Sequence, residues 1–145
     1  MDIEELAARE AIRDLVARYN ANADTGRFRE VAELFARDAV MQFADRTIEG
    51  RAAIDAMFRE TKERVEESAP KGATPHLRHF TATLQIDLDL PHRARSRCYF
   101  QVLMAHGLDH WGRYVDEFVR QEGTWLFARR QVSVDGRVEG SAFGG

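Results

Sequence analysis

Residues 80–104 decide the fold: FTATLQIDLDL at 80–90, PH at 91–92 and RARSRCYFQVLM at 93–104. In the first run Phe80, Ala82, Leu84, Ile86, Leu88 and Leu90 alternate with Thr81, Thr83, Gln85 and Asp87. In the second, Arg93, Arg95 and Arg97 take one side, and Ala94, Cys98, Phe100, Val102 and Met104 take the other. A period of two marks a strand with one buried face. Pro91-His92 turns the chain between the runs, so two long antiparallel strands are predicted. Downstream, His106–Asp109 reads as a loop and Trp111–Gln121 as a strand. Glu122-Gly123 reads as a tight hairpin connection and Thr124–Val134 as the last strand.

Upstream the period is helical. Ala8, Ile12, Leu15, Val16, Tyr19 and Ala23 form one stripe, which Thr25-Gly26 stops. A shorter helix carries Phe28, Val31, Ala32 and Phe35 on one face, and Asp38 marks the turn into a short strand, Ala39–Phe43. Ile48-Glu49-Gly50 opens a third helix with Ile54, Met57, Phe58, Thr61 and Val65 in register, and the helical period ends at Pro70-Lys71-Gly72. Three helices followed by an antiparallel meander specify an α+β layer arrangement, a curved sheet with helices on one face. The short connections, with no GxGxxG and no Walker loop, argue against a parallel nucleotide-binding sheet.

The chain has 145 residues and a formal net charge of −3, from 21 Lys and Arg against 24 Asp and Glu. One domain accounts for that length. Balanced charge excludes a protein that lives on nucleic acid by counterion release. No apolar run approaches the roughly 18 residues of a membrane span, and the acidic start MDIEELAARE does not suit a signal peptide. Cys98 is alone, which excludes an internal disulfide and a thiolate zinc site. The expectation is a soluble chain of a reducing, cytoplasmic compartment, with neither nucleic acid nor membrane as partner.

Function is sought where a residue breaks its local rule. Asp24 closes the first helix, at the negative end of the dipole, where it either joins a solvated turn or faces inward to orient a basic partner. Tyr19 lies on the apolar stripe, as a core tyrosine or with its hydroxyl in a cavity. Arg130 shares the register of Leu126, Ala128, Val132 and Val134; on a buried face it needs a carboxylate or an anionic ligand. His79 has the parity of the polar residues of its strand, and a bulge between His79 and Leu84 would turn it inward. A metal site from His76, His79 and a carboxylate has no supporting motif, and no Ser or Cys sits in a nucleophile context.

These residues carry a resemblance over about Leu6–Asp135. Ala11-Ile12-Arg13-Asp14-Leu15, Tyr19, Asp24-Thr25-Gly26 and Leu34-Phe35-Ala36-Arg37-Asp38-Ala39-Val40 resemble the opening of the SnoaL-like group of the nuclear transport factor 2-like superfamily. Glu49-Gly50-Arg51-Ala52-Ala53-Ile54, Arg78-His79-Phe80, Gly112-Arg113-Tyr114-Val115-Asp116, Gly123-Thr124-Trp125 and Arg129-Arg130 continue it. The resemblance implies one domain over 1–145 (core about 6–135, tail 136–145), a cone-shaped α+β barrel with three N-terminal helices packed on a curved, mainly antiparallel sheet. Scytalone dehydratase, bile acid 7α-dehydratase and lindane dehydrochlorinase are relatives of that type. They pair an Asp ending helix 1 with a His opening the first long strand, positions that Asp24 and His79 match. Tyr19 and Arg130 fall near their tyrosine and late arginine. Ketosteroid isomerase differs, since its catalytic Asp would fall near Phe43, and Asp45 aligns only with a two-residue slip.

The activity so implied is a cofactor-independent lyase or isomerase, dehydratase-like, on a small hydrophobic, cyclic molecule, with polyketide-type ring closure also open. His79 is expected as general base oriented by Asp24, Tyr19 as hydrogen-bond donor, and Arg130 as a charge at the far wall. Val16, Phe35, Met57, Phe58, Phe100 and Phe118 are the expected pocket lining. The rivals are a non-catalytic ligand-binding protein with the same cavity and an interaction module. A homodimer or higher homo-oligomer is expected through the outer sheet face, with Trp111, Trp125 and Phe127 as its aromatics. The tail Glu139–Gly145 either closes the cavity mouth or is unstructured.

Overall fold

The computed structural model describes residues 1–69, 71, 76–141 and 143. Pro70 and Gly72, and residues 142, 144 and 145 of the tail, lie outside the described residues. Helix α1 spans Ile3–Asp24 and begins at a reciprocal cap: the Asp2 carboxylate accepts the Glu5 N–H and the Glu5 carboxylate accepts the Asp2 N–H, both at 2.9 Å. Gly26, at φ +75°, supplies the left-handed turn beyond its end. Helix α2 is a short Phe28–Ala32, followed by strand β1, Phe35–Gln42, and strand β2, Thr47–Glu49. Helix α3 is Arg51–Ser68. Four long strands complete the chain: β3 (Leu77–Asp89), β4 (Arg93–Met104), β5 (Gly107–Gln121) and β6 (Thr124–Arg137).

The strands form one sheet in the order β2-β1-β6-β5-β4-β3. All pairs are antiparallel except β1 with β6. The class is therefore α+β, with helices on a mainly antiparallel, mixed sheet. The apolar stripe of α1 packs with α3 and one sheet face into a single core. Several boundaries differ from the sequence reading: β1 starts at Phe35 rather than Ala39, β2 forms where only a lead-in to α3 is expected, β5 starts at Gly107 rather than Trp111, and β6 runs on to Arg137. Phe35 belongs to the strand because its ring stacks on Phe127 at 5.0 Å, a tertiary contact that overrides the helical period. Among the described residues no helix is long and apolar enough to cross a membrane.

Bulges set which side chains face inward. In β3, Ala82 pairs with Tyr99 but Gln85 pairs with Arg97, so one extra residue is inserted, at Thr83 with φ +56°. Below it Leu84, Ile86 and Leu88 point to the core; above it Leu77 and His79 do, while Phe80 and Ala82 are exposed. The single alternation read across Phe80–Leu90 is thus two registers joined by the bulge, which lies between His79 and Leu84. In β6, Phe127 pairs with Phe118 but Arg129 with Glu117. That shift puts Trp125 and Phe127 inside together with Arg130 and corrects the expected face, which had taken Leu126 and Ala128 instead. Trp125 and Phe127 are consequently buried and unavailable to a dimer interface; of the expected aromatics only Trp111 is exposed.

Candidate active site

A cavity of about 790 Å³ opens between α1, α3 and the inward face of the sheet. Its apolar wall includes Phe28, Phe43, Met57, Phe58, Phe100 and Val132; its polar lining includes Tyr19, Asp24, His79, His110 and Tyr114, with exposed Asp45, Arg46, Lys62, Arg64, Glu66 and Arg137 around them. That is an apolar pocket with few convergent polar anchors, the usual form of a small-molecule site.

Asp24, the last residue of α1, is 7% exposed at its side chain and meets the beginning of strand β3. Its Oδ1 lies 2.6 Å from His79 Nδ1, and its Oδ2 accepts the His79 backbone N–H at 2.8 Å. Both carboxylate oxygens are therefore spent on one residue, holding ring and backbone together. A carboxylate facing Nδ1 assigns the proton to that nitrogen and leaves the Nε2 lone pair free. The dipole of α1 disfavours an anion at its C-terminus by about 0.3–1 kcal/mol. Charge-assisted hydrogen bonds of the kind Asp24 makes offset such a cost.

Tyr19 is buried one and a half turns earlier on α1, edge-on to Phe35, Phe58, Tyr114 and Phe127. Burial pushes its hydroxyl pKa up against the opposing charge of Arg130, so it stays a neutral donor. Arg130 does not line the cavity. It is completely buried, its Nε and Nη2 each 2.8 Å from the two oxygens of an equally buried Asp116. Its guanidinium lies 4.1 Å from the Tyr19 ring centroid and 3.8 Å from that of Tyr114. The far-wall position expected for Arg130 is thus corrected to a buried ion pair behind Tyr19. Val16, Phe35 and Phe118 are likewise core residues rather than lining, whereas Met57, Phe58 and Phe100 do line the cavity. Asp116 was legible as the one charge in the Gly112, Tyr114, Phe118 register, but only pairing β5 with β6 places it opposite Arg130.

A second carboxylate–imidazole pair was missed altogether. His110, in β5, has Nδ1 at 2.7 Å from Oδ2 of the buried Asp109, and its ring lines the same cavity as His79. Ser141 Oγ–H donates to the same Asp109 oxygen at 2.6 Å, and the ring of Phe143 stacks on His110 at 4.7 Å. The described part of the tail therefore lies against this second pair. The signal was the adjacent Asp109-His110; reading 106–109 as a loop hid it, because β5 begins at Gly107. His76 is exposed, and among the described residues no group of three potential metal ligands gathers.

Burial lowers the His110 pKa, although Asp109 opposes the shift. An imidazole whose folded pKa is depressed leaves the unfolded state binding more protons between the two values, so stability rises with pH across that window. Melting temperature is expected to fall as pH is lowered from about 7 to about 5, and His110→Asn is expected to flatten that slope. Thermal melts of both proteins across the range check it; identical slopes would remove His110 as the cause.

The SnoaL-like domain model matches residues 4–131. A protein of unknown function from Mycobacterium tuberculosis superposes with a TM-score of 0.78 at 25% identity, over 97% of this chain and 79% of that one. A Catenulispora acidiphila structure in complex with S-DNPA superposes at 0.76 and 28% identity, over 90% of this chain and 95% of its own. A candidate scytalone dehydratase from Novosphingobium aromaticivorans reaches 0.81 at 19% identity, over 96% and 91%, and shares the fold. No curated protein matches the sequence closely enough to count as a relative.

Proposed function

The chain belongs to the SnoaL-like domain family, and we propose that it is a cofactor-independent lyase or isomerase of dehydratase type, acting on a small hydrophobic, cyclic molecule. The observation that carries this reading is the two-handed hold of Asp24 on His79 at the wall of an apolar cavity. His79 Nε2 takes a proton from carbon next to an electron-withdrawing carbonyl, and the imidazolium formed is stabilised by ionised Asp24. Tyr19 donates a hydrogen bond to the oxygen on which charge develops. In a dehydration, the C–H pair becomes the new double bond, the C–O bond breaks, and the proton returns with the leaving hydroxide as water. His110 stands beside the same space as a second acid–base group.

A panel of cyclic β-hydroxy ketones, followed at the absorbance of the enone product, tests the reading. Turnover of at least one member is expected, falling about 10²–10⁴-fold in His79→Ala. A panel in which the wild type and His79→Ala are equally inert would leave a ligand-binding protein with the same cavity. The homodimer expected from the sequence would use the outer sheet face, where Phe80, Tyr99, Trp111 and Val115 are exposed; light scattering on a sizing column measures it.

A further inference from the structure

We propose that the substrate of this cavity is an acid, an apolar ring body bearing one carboxylate, and that the excess of cations around the mouth, among them Arg46, Lys62 and Arg64, draws that carboxylate to it. The inference rests on the reading of the cavity as the substrate site. The chain as a whole carries a net charge of −3, yet the exposed charges that line the cavity are Arg46, Lys62, Arg64 and Arg137 against Asp45 and Glu66. The exposed cations outnumber the exposed acids four to two, and an excess of one sign beside apolar walls concentrates ligands of the opposite sign.

Of the three named cations, Lys62 has one long contact to an acid, and Arg46 and Arg64 have no ion pair among the described residues. Arg18, Arg29 and Arg59 on the helices are matched one turn away, with Asp14, Glu33 and Asp55 respectively, while the exposed Arg13 is not matched among the described residues. Arg64 makes no hydrogen bond or ion pair among the described residues, although Glu60 and Glu67 lie one turn from it on α3. Arg46 rests over the Phe43 ring at 5.2 Å. Lys62 reaches Glu66 only at 3.8 Å, and its Nζ hangs over the turn after Asp24, 3.8 Å from where a Gly26 side chain would begin. Arg137, by contrast, is committed to the Phe143 carbonyl at 3.3 Å.

Charge also sets the orientation. Deep in the cavity the substrate meets carboxylates, Asp24 behind His79 and Asp109 behind His110, which repel a second anion. An acid therefore enters ring first, against Phe58 and Phe100, with its carboxylate left at the mouth. This places the reacting carbon, rather than the acid group, beside His79.

Calorimetric titration with a matched pair, 2-naphthoate and 2-naphthamide, separates charge from shape. At low salt the wild type is expected to bind naphthoate about tenfold or more tighter than the amide, and about 0.5 M salt to erase most of that preference. The triple variant Arg46→Gln, Lys62→Gln, Arg64→Gln is expected to bring the two affinities within about twofold, with amide binding unchanged. Equal affinities in the wild type, a preference that survives the triple substitution, or failure of both compounds to bind overturns the proposal. His79→Ala keeps the preference if the mouth sets it. Naphthoate selectivity without any His79-dependent turnover would sustain the acid-binding mouth while removing the lyase reading.

Discussion

Replacing Asp116 with alanine is expected to destabilise the protein by about 3–5 kcal/mol, which for a chain of this size is roughly 10–20 °C in melting temperature. Arg130 and Asp116 are both completely buried and bound to each other through two hydrogen bonds of 2.8 Å. Removing the acid strands a guanidinium that cannot lose its proton between the rings of Tyr19, Tyr114 and Phe127. Replacing both partners with apolar residues of similar volume, Asp116→Leu with Arg130→Met, is expected to cost far less, because the desolvation of two charges is removed along with their attraction. Urea or thermal unfolding of the two variants measures the difference. A single substitution that costs under about 1 kcal/mol would mean that the pair is solvated in solution.

Asp24→Asn is expected to lower turnover about 10²–10⁴-fold while leaving ligand affinity within a few-fold. The amide keeps the size of the carboxylate but not its charge, so the imidazolium formed in the reaction loses its partner. Its NH₂ group also competes for the ring, which can then present Nδ1 rather than Nε2 as its lone pair. The two contacts of Asp24 go to the ring and to the backbone of the same residue, so the variant tests orientation as well as charge. A parallel loss of kcat and kcat/KM with KM little changed is the signature of an interaction made in the transition state. A change confined to KM would make Asp24 a binding group only.

The parts of the fold that were legible were those where side-chain period and burial coincide. The β3–β4 pair and the three helices followed from periods of two and 3.6. The hairpin at Glu122-Gly123 followed from its turn residues, and both adopt the positive φ that such a turn needs. Asp24 stood out because it violated its local rule, whereas His79 had ordinary polar parity and was singled out by the resemblance; the extra residue at Thr83 is the reason the strand's parity misled above the bulge and not below it. What could not be read were contacts between distant segments. Val16, Phe35 and Phe118 have the composition of a pocket lining, but whether an apolar residue faces a void or a neighbour depends on how α1, β1 and β5 close on each other. The second pair escaped notice for a similar reason: a buried Asp109 next to His110 becomes visible only when β5 is known to start before it.

The most direct test of the central claim, a free imidazole nitrogen acting as base in an apolar cavity, is the opening of 5-nitrobenzisoxazole, a reaction that asks only for one proton abstraction. The account predicts a rate well above that of free imidazole at equal concentration, saturable in the probe, and lower by about 10²-fold or more in His79→Ala. Equal rates for the wild type and His79→Ala would contradict it.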